Sequence, residues 1–229
     1  MVNYTCYISN RPTVSQLRKE VYMRISKEPE ERKSEILDTA KMFFCTKGYN
    51  KTTVNDILSE IGIAKGTFYY YFKSKEEVMN AIVMRIIDNG VKLAEAIAEN
   101  PRLTVQEKLL QIIMAQSPDI EKKEQVLEQL HQVENAQMHQ KSLVQTILRL
   151  TPVLTKVLEQ GIKEGLFSTP YPQESIECLL VSSQFLFDEG LFQWEPEELV
   201  RKIQAYIYMM EKTLGAKEGS LLYMMKLFE

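Results

Sequence analysis

One stretch, residues 53–75, restricts this chain more than any other. Val54, Ile57, Leu58 and Ile61 recur at the spacing that gives a short helix one apolar face. Thr53 with Asp56 three residues later has the form of an N-cap, and Gly62 suits the left-handed residue that closes a helix. A second short helix follows at once. Ala64, Phe68 and Phe72 fall on its inner face, while Gly66, Tyr69, Tyr70 and Lys73 fall opposite, with Lys65 at the edge. Lysine, glycine and hydroxylated aromatics make a poor core. They suit a DNA major groove, where glycine admits close approach and tyrosines reach phosphates and thymine methyls.

The neighbouring sequence extends this unit in both directions. Glu30 to Thr46 forms a helix with Ile36, Leu37, Ala40, Phe43 and Phe44 on its inner face, ended by Lys47-Gly48. Ser74 and Glu77 make a capping box that opens a long helix reaching toward Asn100, with Asp88-Asn89-Gly90 as a candidate kink or break in its middle. Further helices are expected over Thr104 to Gln116, Asp119 to Gln137, Lys141 to Glu164, Gln173 to Leu191, Glu197 to Leu214 and Ala216 to Phe228. Pro152 should bend the third of these. No stretch alternates with period two long enough for a sheet, so the expected class is all-α.

The run Ala40 to Lys75 resembles the DNA-binding domain of the TetR family of bacterial transcriptional regulators. The likeness is carried by Phe43-Phe44, Lys47-Gly48-Tyr49, Thr52-Thr53, Ile57, Gly62-Ile63, the run Lys65-Gly66-Thr67-Phe68-Tyr69-Tyr70-Tyr71-Phe72 and Ser74-Lys75-Glu76. It is strong over residues 30–80; beyond 81 only helical character and length agree. The resemblance implies an N-terminal three-helix DNA-binding domain with a helix-turn-helix, followed by a C-terminal helical domain for effector binding and dimerisation. The corresponding divisions are an extension over 1–28, the DNA-binding domain over 29–76 and the effector domain over 77–229. In the extension, Val14 to Ile25 has the pattern of a short basic amphipathic helix. By the same resemblance, Thr52, Thr53, Lys65, Gly66, Thr67, Tyr69, Tyr70, Tyr71 and Lys75 are the positions that touch a double-stranded operator, although the helical wheel puts Thr67 and Tyr71 on the flank.

The charge balance agrees with a local contact rather than a basic protein. Net charge is −3, yet residues 1–80 hold 13 Lys and Arg against 10 Asp and Glu. A small excess on one domain implies affinity that needs two half-sites and falls with salt. Three cysteines far apart (Cys6, Cys45 and Cys178) argue against a disulfide framework, and neither a signal segment nor a membrane span is present. A cytoplasmic location is expected.

The segment Gln173 to Leu191 is apolar on more than one side, which calls for burial on two faces. With the family's habit of dimerising there, Leu180, Phe187, Ile203 and Tyr206 are expected at or next to a two-fold interface. Met114, Met138, Phe185, Phe192 and Trp194 are candidates to line an apolar effector cavity, with His131 as an orienting polar group. His131 and His139 lie eight residues apart, roughly 12 Å along a helix axis, too far to share a metal ion. No Ser-His-Asp set, nucleotide loop or paired carboxylate stands out, so neither an enzyme nor a cofactor is expected. The reading is a dimeric, ligand-responsive regulator, a repressor of a palindromic operator, with a small apolar effector. The rival is a helical ligand-binding or interaction protein without specific DNA binding.

Overall fold

The computed structural model describes residues 27–116, 136–188 and 190–227. The N-terminal stretch with Val14 to Ile25, the expected helix from Asp119 to its last residues, and His131 lie outside these. Every regular element described is helical: α1 (Pro29–Lys47), α2 (Val54–Ile61), α3 (Lys65–Tyr71), α4 (Lys75–Ala98), α5 (Val105–Ala115), α6 (Ala136–Lys163), α7 (Pro172–Leu186), α8 (Pro196–Leu214) and a closing 3-10 helix, Leu222–Leu227.

Local chemistry explains most of the boundaries. Three helices open on proline at their first position, where the missing N–H costs nothing. At α2 the capping box is complete with aspartate in place of glutamate: the Asp56 amide donates to the Thr53 hydroxyl, and the Asp56 carboxylate accepts the Thr53 amide. Thr104 and Glu107 do the same at α5. Ser74 caps α4, but Glu77 reaches the amide of Lys73 rather than that of Ser74. Gly62 and Gly215 close α2 and α8 in the left-handed region.

Two cores form. The first gathers Ile36, Ala40 and Phe44 of α1, Ile57 of α2, Phe68 of α3, and Val78, Met79 and Ile82 of α4. The second gathers Ala94 of α4 with apolar residues of α5, α6, α7, α8 and the 3-10 helix. Helix α4 therefore serves both. It runs without interruption through Asp88-Asn89-Gly90, because Gly90 is buried and its carbonyl accepts from Gln116, the residue that caps the end of α5, while Asp88 pairs with Arg149 of α6. A second element crosses as well. Met138, in the first turn of α6, belongs to the first core, while Leu150, Val153, Leu154 and Val157 further along the same helix belong to the second.

Several expected bounds shift. Helix α6 is already formed at Ala136, five residues before the expected Lys141, and continues through Pro152. The expected Gln173 to Leu191 helix stops at Leu186. Residues 216–227, expected as part of a helix to Phe228, do not form an α-helix: Gly219 takes φ 79°, and the buried Glu211 carboxylate accepts the amides of Gly219 and Leu221 at 3.0 and 2.8 Å. That carboxylate holds the turn that leads into the 3-10 helix.

Candidate nucleic-acid interface

The motif is built by α2, the turn at Gly62, and α3. Phe68 is fully buried and divides the short α3 into two sides. On the outer side Tyr70 is 79% exposed and Tyr69 45%, with Lys65 and Gly66 exposed beside them. Tyr69 leans edge-on against Phe68, which fixes its root. The Lys65 ammonium sits 5.8 Å from the Tyr69 ring centre, within reach of a cation–π contact. A Cβ added at Gly66 would meet nothing within 4 Å. The protein's own packing therefore gives no reason for glycine there.

The flanking positions behave as the wheel suggests. Thr67 is half-buried, and Tyr71 packs partly against the first core, its ring edge-on to Tyr70. One inner-face assignment changes, and another holds in a different backbone setting. Ala64 is exposed, since it is the N-cap of α3, and Phe72 lies past the helix in extended backbone. Phe72 is buried all the same, because the chain turns it back onto the core as it leaves α3.

Three expected contact residues are engaged inside the protein. Thr52 is 1% exposed, and its hydroxyl donates to the Gly48 carbonyl at 2.8 Å. Its side chain does not face outward, which corrects its assignment as a surface contact. Thr53 is exposed, but its hydroxyl donates to the Asp56 carboxylate at 2.8 Å and accepts the Asp56 amide. Asp56 also pairs with Lys47 at 2.7 Å; that lysine first, then the Thr53 amide and hydroxyl, lower its pKa to about 2. The start of α2 thus already carries a carboxylate. Lys75 is the third case. Its ammonium donates to the carbonyls of Tyr49 at 2.7 Å and Thr52 at 2.9 Å and stands 4.3 Å from the Tyr49 ring centre. Desolvation pulls its pKa below the usual lysine value. Sequence reading missed this anchor. The available signal was a lysine at the first position of a helix, where the helix dipole disfavours it.

Ile203 and Tyr206 are 2% and 7% exposed within a single chain, so they belong to its own core. Phe187 packs edge-on to Tyr206, whose hydroxyl donates to the Leu179 carbonyl, and Leu180 packs against the same core. Ile203 and Tyr206 do not face outward, while Leu180 and Phe187 are half-buried. The exposed apolar residues on the two helices are Val181 and Phe185 of α7 and Val200, Tyr208 and Met209 of α8.

The expected effector-pocket residues among the described residues have differing surroundings. Met114 and Phe185 are exposed, and Met138 is buried in the first core. Phe192 stacks on Trp194 at 4.9 Å; the indole N–H donates to the Leu186 carbonyl, and Lys202 covers the ring at 3.6 Å. His139 is buried, with Nε2 2.9 Å from Asp188. A cleft of about 490 Å³ does occur among the described residues, lined by Gln106, Phe167, Ala216, Lys217 and Ser220 among others, away from those candidates. Among the described residues no three His, Cys, Asp or Glu gather as metal ligands, and no helix is long and apolar enough to cross a membrane.

This geometry defines a helix-turn-helix protein whose recognition helix leads into a larger helical domain. Comparison with known proteins agrees at both ends. Residues 36–82 match "Bacterial regulatory proteins, tetR family", and residues 119–209 match "Tetracyclin repressor-like, C-terminal domain". The chain belongs to the TetR family of helix-turn-helix transcriptional regulators. An uncharacterised regulator of this type from Bacillus subtilis, YfiR, is 36% identical over 78 residues, 34% of this chain and 38% of that protein. The similarity thus spans well under half of the relative. Two solved structures share the fold. A TetR-family regulator from Pectobacterium atrosepticum is 19% identical with a TM-score of 0.60, covering 83% of this chain and 98% of that one. SmeT, the repressor of a Stenotrophomonas maltophilia multidrug efflux pump, is 21% identical with a TM-score of 0.55, covering 82% and 91%.

Proposed function

We propose that the protein is a dimeric, ligand-responsive repressor that reads a two-fold symmetric operator through α3. The observation that carries this is the outer side of α3. Lys65, Gly66, Tyr69 and Tyr70 are exposed together, on a helix whose opposite side is fixed by a completely buried phenylalanine. Lys65 donates to a guanine edge or a phosphate, Gly66 admits the sugar–phosphate backbone, and the tyrosines reach phosphates and thymine methyls. Thr67 and Tyr71 contribute from the flank. Thr52 and Lys75 act behind this surface.

Reading a symmetric site requires two copies with their recognition helices about 34 Å apart, one turn of DNA. The outward residues Val181, Phe185, Val200, Tyr208 and Met209 supply an apolar surface for that pairing, next to the half-buried Leu180 and Phe187 and the buried Ile203 and Tyr206. A small apolar effector enters the second domain and acts through α4. The middle of α4 is held by Gln116 and Arg149, and its start follows α3 after only three residues. Moving α4 changes the separation of the two recognition helices, and a shift of a few ångströms loses the match to successive grooves. SmeT offers a parallel as a repressor of the same fold.

The test uses a duplex enriched from a randomised pool by the wild-type protein. Tyr69→Ala and Lys65→Ala should each weaken binding by roughly 1–3 kcal/mol at fixed salt with the fold intact. Affinities equal to wild type in both variants would remove α3 as the reading element.

A further inference from the structure

Lysine at the start of α4 is costly in two ways. It places a cation at the positive end of a helix, and its ammonium is partly withdrawn from water. Such a placement persists only if the charge meets strong acceptors. It meets two, the carbonyls of Tyr49 and Thr52, and one aromatic face, that of Tyr49. The Tyr49 ring is itself anchored edge-on against the fully buried Phe44 of α1. The lysine therefore ties α4 to the turn between α1 and α2, which the Tyr49 ring anchors to α1.

Where these partners lie in the chain gives the bond its meaning. Thr52 immediately precedes Thr53, the N-cap of α2, and Lys75 is the first residue of α4. Everything between them is the helix-turn-helix. One side chain closes that span of chain into a ring, so α2, α3 and the start of α4 hold a fixed mutual angle. An outward-facing lysine would touch DNA and add nothing to that angle.

We infer that Lys75 is a positioning residue for operator recognition: its ammonium staples the start of α4 to the turn before α2, so that a movement of α4 carries α3 with it as one body. The inference rests on the operator-binding reading above and deepens it, and it assigns no DNA contact to Lys75.

Salt dependence separates positioning from contact, because each phosphate neutralised contributes close to one unit of slope in log affinity against log salt. The full-length chain is titrated against the enriched duplex across a salt series as wild type, Lys75→Met and Lys75→Arg, with thermal melting of each. Lys75→Met keeps the aliphatic stem and removes the donors. It is expected to lower affinity about ten-fold or more at unchanged slope, with a lower melting temperature. Lys75→Arg keeps the charge, but its longer planar head does not sit at the point between the two carbonyls. It is expected to be impaired too, again at unchanged slope.

A slope flatter by about one unit per protomer in Lys75→Met would make Lys75 a phosphate contact and overturn the inference. Wild-type affinity in Lys75→Arg would overturn it too, and this holds even if Lys75→Met does not fold. Unchanged affinity with a lower melting temperature would leave a merely structural lysine and equally overturn it. A wild-type protein that enriches no duplex overturns the operator reading itself, and the inference with it.

Discussion

Gly66 offers a test in which stability and binding should move in opposite directions. Replacing it with alanine puts a methyl group at the second position of α3. An ideal Cβ there finds nothing within 4 Å, and Gly66 is absent from the positive-φ glycines among the described residues. The substitution therefore meets neither a clash nor a backbone penalty. What remains is the unfolded state. Alanine has less freedom to lose than glycine, a difference of about 0.5–1 kcal/mol inside a helix and nearer the lower figure in a first turn. For a chain of this size that raises the melting temperature by roughly 1–3 °C. On DNA the same methyl group stands where the backbone should come closest, and a misplaced methyl in a tight contact costs about 1–3 kcal/mol, or roughly 5- to 150-fold in affinity. The assay pairs thermal melting with fluorescence anisotropy on the enriched duplex at one salt concentration. A melting temperature below wild type would show that the free protein needs the glycine. A raised melting temperature with unchanged affinity would show that the open space beside Gly66 is not where DNA lies.

Dimerisation through the outward residues predicts that Phe185→Glu combined with Met209→Glu gives monomers in sedimentation at micromolar concentration. Sedimentation of that variant with the wild-type dimer would place the interface elsewhere. Gly215→Ala should lose several degrees of melting temperature, because φ is 62° and the new Cβ would stand 2.3 Å from the Ser168 carbonyl oxygen. Strain of that kind amounts to about 2 kcal/mol or more. Asp56 has a folded pKa of about 2 against an ordinary 3.8, so its contribution to stability is complete above about pH 4 and lost as pH falls toward 2. Urea midpoints measured between pH 5 and 2 should fall less steeply in Asp56→Asn than in wild type, and parallel curves would refute the assignment.

What the sequence disclosed and what it hid divide along a physical line. Caps and turns are local chemistry: Thr53 with Asp56, Gly62, and Ser74 could each be read from a few neighbours, and each operates in the structure. The two sides of α3 were also legible, since helical periodicity alone separates Phe68 from Tyr69 and Tyr70. Apolar periodicity does not say what a residue is buried against. Ile203 and Tyr206 have the same pattern whether they face their own core or a second copy, and here they face the core. The same ambiguity misplaced Met138, which has the character of a pocket residue and serves instead in the DNA-binding domain's core. Residues 216–227 depart from the expected helix because a buried carboxylate on the preceding helix, Glu211, claims the amides that a helix needs. For Lys75 the deciding partners are backbone carbonyls more than 20 residues away, which no pattern of side chains announces.

Met138 bears on how such a protein can be rearranged by recombination. A gene fusion with its single seam in α4 would give the DNA-reading part of one regulator to the sensing part of another. In this chain that exchange would also replace the first turn of α6, and with it the methionine that completes the first core. A foreign side chain of different volume would leave a void or an overlap there, at about 2–5 kcal/mol for a methionine cut back to alanine. Operator preference and effector preference are therefore not freely exchangeable parts. Working hybrids need either a matched residue at 138 or a second crossover that brings the start of α6 along with the DNA-binding half.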